Sequence, residues 1–249
     1  MFFAKGLSSK IALAATIGML SLTSSASAQS LISFWDFNEG FDGGADAVQI
    51  VHNADLGVGR MYQQRADIDS NGKGGNAFSD GAFGIDSADG RSIAWDDVAK
   101  SGDNDAELFL VFSTAGFKDI QISFDLQGNL DGGIASYDVK YDNSDLEDIV
   151  DPNGSGTMIK DFAGGISTDF LNNAPITTTD EYMRFSIDLT GAVGVDNQST
   201  LAVRIDDIRE NDDARFDNFL VTGTAIPEPS SLGLVLLGFA SIAARRRKN

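Results

Sequence analysis

The 249-residue chain contains no cysteine. That excludes disulfide bracing, thiolate zinc sites, iron–sulfur clusters and thiol catalysis within the chain. It contains a single histidine, His52. No two-histidine metal site can form, and a Ser-His-Asp triad would have to use His52, although no Gly-x-Ser-x-Gly turn is present to carry the serine. His52 follows Gln49-Ile50-Val51 and reads as an ordinary strand-end residue. Proline is scarce: of the 4 in the chain, two stand in one tripeptide, Pro227-Glu228-Pro229, which marks that place as a deliberate break. Between residues 29 and 225 no segment keeps a helical apolar period over three turns, which argues against an α or α/β fold.

Positive charge is also in short supply. The chain has 18 Lys and Arg against 37 Asp and Glu, for a net charge of −19. Two lysines lie near the start, and four basic residues with Glu228 lie in the last 24 positions. Residues 29–225 therefore hold 12 basic and 36 acidic residues, a net of −24. Such a domain repels nucleic acid and anionic headgroups, so nucleic acid is not an expected partner. It offers many oxygen ligands to hard cations, and it reads equally well as a heavily solvated surface.

The two ends are targeting segments. Lys5 and Lys10 make a positive start, residues 11–22 form a short apolar run, and Ala26-Ser27-Ala28 is a small-residue cleavage site. A secretory signal peptide over residues 1–28 is predicted, leaving Gln29 as the mature N-terminus. The other end, residues 226–249, opens with Pro227, Glu228 and Pro229. An apolar run follows that includes Leu232, Leu234, Val235, Leu236, Leu237, Phe239 and Ile242, then the basic cluster Arg245, Arg246, Arg247 and Lys248. From Leu232 to Ala244 the run is 13 residues, short of the ~20 of a comfortable span. On physics alone it is either a membrane-inserting helix held by its basic end or an amphipathic or core helix.

The order of these parts resembles the PEP-CTERM sorting signal of Gram-negative bacteria. Proteins with that signal are exported by the general secretion machinery and held transiently in the inner membrane. They are then processed by an exosortase, a membrane-embedded, cysteine-protease-like enzyme, and the family is associated with exopolysaccharide and biofilm. The resemblance implies that Pro227, Glu228 and Pro229 are the recognition element, that the apolar residues are a temporary anchor, and that Arg245 to Lys248 are its cytoplasmic stop.

Residues 29–225 read as one domain of about nine or ten short strands joined by Gly, Asp and Asn turns. Leu31–Phe37 is a first aromatic strand, and Val48–His52 a second. Residues 55–105 read as long loops carrying short strands near 77–85 and 92–95. Glu107–Ser113 is continuously apolar, suited to a central strand. Lys118–Gln127 alternates with period two, as do Tyr137–Tyr141, Met183–Leu189 and Leu201–Ile205, and Arg215–Thr222 closes the domain. Asp206, Asp207, Glu210, Asp212 and Asp213 read as a solvated acidic loop. The expected fold is all-β, a single jelly-roll-like β-sandwich flanked by the signal peptide and a short C-terminal hydrophobic helix. The early Trp-Asp-Phe-Asn and closing Arg-Phe-Asp-Asn-Phe strands resemble the carbohydrate-binding-module-like or lectin-like ectodomains found in PEP-CTERM proteins.

Three places could carry chemistry. Asp67, Asp69 and Asn71, followed by Gly72, match the first half of an EF-hand calcium loop, but position 12 is Phe78 in place of Glu; a plain Asn-Gly turn is the competing reading. By analogy with jelly-rolls, Asp36, Asn38, Glu39 and Asp217 could hold a structural calcium between the first and last strands. For sugar stacking the available rings are Trp35, Trp95, Tyr62, Tyr137 and Tyr141, of which Trp95, in a polar stretch, is the preferred ligand residue. No Glu-x-Asp-x-x-Glu or His-Glu-x-x-His motif is present, and an abundance of acids is no sign of a catalytic pair. The expected function is non-enzymatic: an exported, exosortase-processed envelope or extracellular-matrix protein, structural or associated with exopolysaccharide. A β-sandwich carbohydrate-active enzyme and a permanently membrane-anchored surface domain are the alternatives.

Overall fold

The computed structural model describes residues 28–38, 49–64, 67–68, 75–88, 90–96, 107–128, 136–143, 168–209 and 214–227. The described residues form strands β1 (Gln29–Trp35), β2 (Gln49–Asn53), β3 (Leu56–Gly57), β4 (Gly59–Gln64), β5 (Asp67–Ile68), β6 (Phe78–Asp80), β7 (Ile85–Ser87) and β8 (Ile93–Asp96). They continue with β9 (Glu107–Phe112), β10 (Phe117–Gly128), β11 (Ser136–Asp142), β12 (Thr168–Pro175), β13 (Met183–Asp188), β14 (Leu201–Arg209) and β15 (Ala214–Ala225). No helix among them is long and apolar enough to cross a membrane. Residues 1–27 of the expected signal peptide (1–28) and the tail from 228, with its expected helix, lie outside the described residues.

Two sheets face each other, as expected of a β-sandwich. The seven-stranded sheet runs β13-β10-β15-β1-β3, with β8 also on β15 and β5 beyond β8. The six-stranded sheet runs β12-β11-β14-β9-β4-β2. All pairings among the described residues are antiparallel. The alternation in β10 sends Ile120, Ile122, Phe124 and Leu126 inward, where they meet Leu108, Leu110 and Phe112 of β9 and Val203 and Ile205 of β14 in one core. Phe124 sits among Phe219, Phe216 and Phe185, with ring centroids at 5.0, 6.0 and 6.1 Å. The outer side of the seven-stranded sheet has its own apolar patch, Phe34 and Leu220, covered by Ile85 of the β6–β7 hairpin.

β15 departs from period two. Phe216 and Phe219 both reach the core although three residues apart, and Leu220 faces the other side. The extra residue is absorbed where Asn218 takes φ 49° and the register against β10 shifts between Ser123 and Asp125. This is a β-bulge, which re-aims the strand and leaves Asp217 and Asn218 buried side by side.

The structure also departs from the sequence reading in places. β4 forms where loops were expected, and β12 in a stretch to which the sequence reading gave no element. Both are rich in polar residues (Gly-Arg-Met-Tyr-Gln-Gln and Thr-Asp-Phe-Leu-Asn-Asn-Ala-Pro) and are held by their neighbours, β4 between β2 and β9 and β12 along β11. Asp206 and Asp207, read as loop, continue β14, with Asp206 opposite Asp138.

Phe124 is 1% exposed and touches three other rings. Truncation in Phe124→Ala should cost about 3–5 kcal/mol, read as a lowered urea midpoint with an unchanged slope.

Candidate functional site

Where β15 bulges, the buried polar groups form one connected knot. Asn218 Nδ2 donates to the Asn76 carbonyl at 2.6 Å and to Asp125 Oδ2 at 2.9 Å. Asn76 Nδ2 also donates to Asp125 Oδ2 (3.0 Å), and the Asn76 N–H donates to Asp217 Oδ2 (2.6 Å). The Asn218 N–H donates to Asp217 Oδ1 at 2.8 Å. Arg184 supplies the positive charge: Nη1 donates to Asp125 Oδ1 (2.9 Å) and to the Asn218 carbonyl (2.8 Å), Nη2 donates to Ser123 Oγ (2.9 Å), and the guanidinium lies 4.2 Å from the Phe78 ring centroid. Asn76 comes so close because Gly75 precedes it. A Cβ there would stand 2.5 Å from Asp217 Oδ2 and 2.4 Å from the Arg91 carbonyl.

Asp36 and Asn38, at the exit of β1, tie down the segment that follows β7. Asp36 Oδ1 accepts the Asn38 N–H (3.0 Å), and Asp36 Oδ2 accepts Ser87 Oγ (3.0 Å). Asn38 Nδ2 donates to Ser87 Oγ (2.9 Å), while Asn38 Oδ1 accepts the Arg91 N–H (2.8 Å). Gly90 leaves room for that amide, since a Cβ would fall 1.6 Å from Asn38 Oδ1.

Acceptors outnumber donors in this region. With both amide hydrogens of Asn218 used, its Oδ1 is buried with no donor. Burial pushes the Asp217 carboxyl up to about 8; the charges of Asp125 and Asp36 push the same way, and the N–H groups of Asn76 and Asn218 hold it back. Burial likewise pushes the Tyr182 phenol up to about 12, with Asp217 and Asp125 adding to it and Ser92 opposing. Asp125 and Asp217 are 3% and 1% exposed, so neither lines a cleft that a sugar chain could enter as hydrolytic acids require. Among the described residues no three His, Asp or Glu side chains are grouped to hold a metal. Calcium, however, also takes amide and backbone oxygens.

The other predicted positions are scattered. Asp67 is in β5 opposite Asp96, and Asp69 and Asn71 fall outside the described residues. Trp95 is in β8 opposite Ala214 and Ile68. Trp35 is a core residue whose Nε1 donates to the His52 carbonyl at 3.3 Å. Tyr137 and Tyr141 belong to the same core. The His52 ring meets Phe37 edge-on at 5.2 Å, and burial lowers its pKa to about 4. Pro227 is exposed, while Glu228, Pro229 and the residues beyond lie outside the described set.

Tyr62 lies on the outer face of the six-stranded sheet, opposite Phe109. Arg204 is on that face too, ion-paired with buried Glu107 and 5.9 Å from the Phe109 ring centroid. At the end of this face is an open groove of about 470 Å³, lined by Asn53, Val58, Arg60, Tyr62, Ser113 and Thr200 among others, with no carboxylate in its lining. Sequence reasoning missed the groove because the β4–β9 register, not chain proximity, assembles it. It also missed Asn76, Asp125, Asn218 and Arg184. Only Asn218 left a trace, the Phe-x-x-Phe spacing that breaks strand alternation.

The C-terminus matches a family model, the PEP-CTERM protein-sorting motif, over residues 225–248. The motif marks a secreted, envelope-associated protein addressed to an exosortase, as the tail's order of parts led one to expect. No curated protein matches the chain. Among solved structures it is similar to the CBM22-1 xylan-binding domain of Xyn10C from Paenibacillus barcinonensis, at 10% identity over 81% of this chain and 99% of that one, with a TM-score of 0.41. It is also similar to the K1 cleaved adhesin domain of Lys-gingipain from Porphyromonas gingivalis (9% identity, 80% and 99% coverage, TM-score 0.40) and to the xylan-binding module CBM15 (16% identity, 73% and 99% coverage, TM-score 0.35).

The buried acid makes a pH prediction. Asp217 rises from an ordinary 3.8 to about 8, so the folded state favours its neutral form and loses stability as pH climbs through that interval. His52 falls from 6.5 to about 4, so its neutral form supports the fold and stability is lost as pH drops below 6.5. From pH 6.5 to 8 Asp217 acts alone of the two. In calcium-free buffer the wild type should lose stability there by up to about 1.4 kcal/mol per pH unit, and Asp217→Asn should be flat, both read from thermal melts.

Proposed function

We propose that this is a non-enzymatic module of the cell envelope or extracellular matrix. Its tail is inserted transiently in the inner membrane and cut by an exosortase, and its sandwich associates with exopolysaccharide. The observation that carries the proposal is the sorting motif at residues 225–248, fused without a spacer to the end of β15. The groove beside β4 and β9 supports the polysaccharide part. It is open, presents exposed Arg60 beside the polar groups of Asn53, Ser113 and Thr200, and lacks the facing carboxylates that hydrolysis would need. The domain's net negative charge favours a neutral polymer over an acidic one.

A structural calcium belongs to the same proposal. The residues fit an oxygen-seeking cation at one place: Asp217, desolvated beside Asp36 and Asp125, and Asn218 Oδ1, which has no donor. Asp217 and Asn218 Oδ1 would hold the ion, while Asp36 is engaged with Asn38 and Ser87, and Asn38 with Arg91 and Ser87. The ion would supply charge compensation. Repeating the melts with millimolar calcium should raise the wild-type Tm more at pH 8 than at pH 5 and leave Asp217→Asn unmoved; no shift at either pH would remove the cation.

Sorting is tested by the intact mass and location of the native protein in a host with and without its exosortase. With the enzyme, a product lacking residues 1–28 and the region after Pro229, found outside the inner membrane, is expected. Glu228→Ala should give the uncut form. Retention of Leu232 to Asn249 in the membrane irrespective of the enzyme would favour the permanent anchor.

For the groove, Arg60→Ala should weaken binding of the released domain to neutral exopolysaccharide by about tenfold. Release of reducing sugar by the wild type would favour the enzyme alternative.

A further inference from the structure

The two chain ends leave the sandwich at the same place. β1 starts at Gln29 opposite Thr224 of β15, and the Gln29 side chain donates to Gln121 Oε1 at 2.7 Å. β15 ends at Ala225 opposite Phe117, and the next residue is still bonded, the Ile226 N–H donating to the Gly116 carbonyl at 2.8 Å. Paired strands lie about 5 Å apart, so the segment following the leader and the segment preceding the tail emerge side by side.

That end of the sandwich is a braced platform built from residues 113–117 and 189–198. The Thr114 N–H donates to the Gln198 carbonyl (2.9 Å) and Thr114 Oγ1 to the Val195 carbonyl (2.7 Å). The Asn197 N–H donates to the Phe117 carbonyl (2.8 Å), and Asn197 Oδ1 accepts the Gly116 N–H (2.8 Å). Asn197 holds φ 56° to make both bonds. On this platform Val193 is 87% exposed, with its carbonyl fixed by the Tyr141 hydroxyl at 3.0 Å, and Ile226 is 36% exposed.

The tether from this platform to the apolar run is very short. Only residues 227–231 separate bonded Ile226 from Leu232, a reach of about 20 Å even fully extended. Headgroups take up roughly 6 Å of that on each side of a bilayer. No other end of the domain can be presented to the membrane while the tail is inserted, because the 12-residue β10 and β15 put the opposite end roughly 35–40 Å further away.

We propose that the platform formed by residues 113–117 and 189–198 is the membrane-facing end of the domain, with Val193 at the lipid headgroups for as long as the tail is attached. This rests on the tail being membrane-inserted, as proposed above. A second consequence is that leader and tail can occupy one bilayer simultaneously with the sandwich already folded.

The absence of cysteine makes the test clean, since any introduced cysteine is unique. Val193→Cys on the platform and Glu181→Cys at the opposite end, where the Gly128 N–H donates to the Thr179 carbonyl, are labelled with a fluorophore. The tail-bearing protein is then reconstituted in phosphatidylcholine vesicles carrying a headgroup nitroxide quencher. Flotation reports insertion, and quenching reports orientation. Quenching at least about twofold stronger at 193 than at 181 is expected from the difference in height. A Gly/Ser spacer of about twelve residues between Ile226 and Pro227 should abolish the difference. Flotation with equal quenching at both positions would overturn the orientation while leaving insertion intact. A protein that does not float would overturn both. A Val193 signal that appears only when exosortase is co-reconstituted would assign the platform to the protease and not to lipid.

Discussion

The fold depends on a one-residue irregularity in its last strand. Phe216 and Phe219 can both enter the core only because Asn218 adopts a positive φ between them, and only then do Phe124, Phe216 and Phe219 assemble into the ring cluster at the centre of the sandwich. The same kink buries two polar side chains that a regular strand would have placed on opposite faces. Asn76, 141 residues away from Asp217 in sequence, bonds both, its N–H donating to Asp217 and its carbonyl accepting from Asn218 Nδ2, while Asn218 Oδ1 has no donor. Packing and polar bonding thus share one origin: the bulge that perfects the apolar side creates the polar knot behind it.

The balance in that knot is uneven. Arg184 compensates Asp125 but does not compensate Asp217, whose carboxyl accepts two backbone N–H groups yet lies near the acids Asp125 and Asp36. A buried carboxyl with no counter-charge keeps a proton or recruits a cation. The Asp36–Asn38–Ser87 bonds join the exit of β1 to β7, and the Asn76–Asp217 bond joins the segment before β6 to β15, both made with short polar side chains.

The parts of this architecture legible in the sequence are those set by local periodicity. The alternating residues of β10, β13 and β14 announce half-buried strands, and the Pro-Glu-Pro, apolar and basic order announces the sorting signal. β4 could not be read in the same way: Arg60, Gln63 and Gln64 carry no strand pattern, and the segment is extended because β9 and β2 offer it two edges. β12, with Asn172 and Asn173, is likewise imposed by β11. The acids near β15 were partly legible. Asp36 and Asp217 stand beside recognisable first and last strands, but Asp125 hides among the polar positions of β10 and becomes distinctive only through its partners.

The position of β15 bears on when the protein can fold during its export. It is an interior strand, bonded to β10 along one side and to β1 and β8 along the other, yet it is the last part of the sandwich to be synthesised and the last to cross the membrane. Until residues 214–225 arrive, β1 and β10 have no common partner and Phe124 lacks two of its neighbouring rings. The polypeptide therefore stays open through most of translocation, in the state a secretion channel accepts, and closes its core only once β15 has followed. Chain order alone makes completion of the fold and arrival of the sorting signal nearly simultaneous.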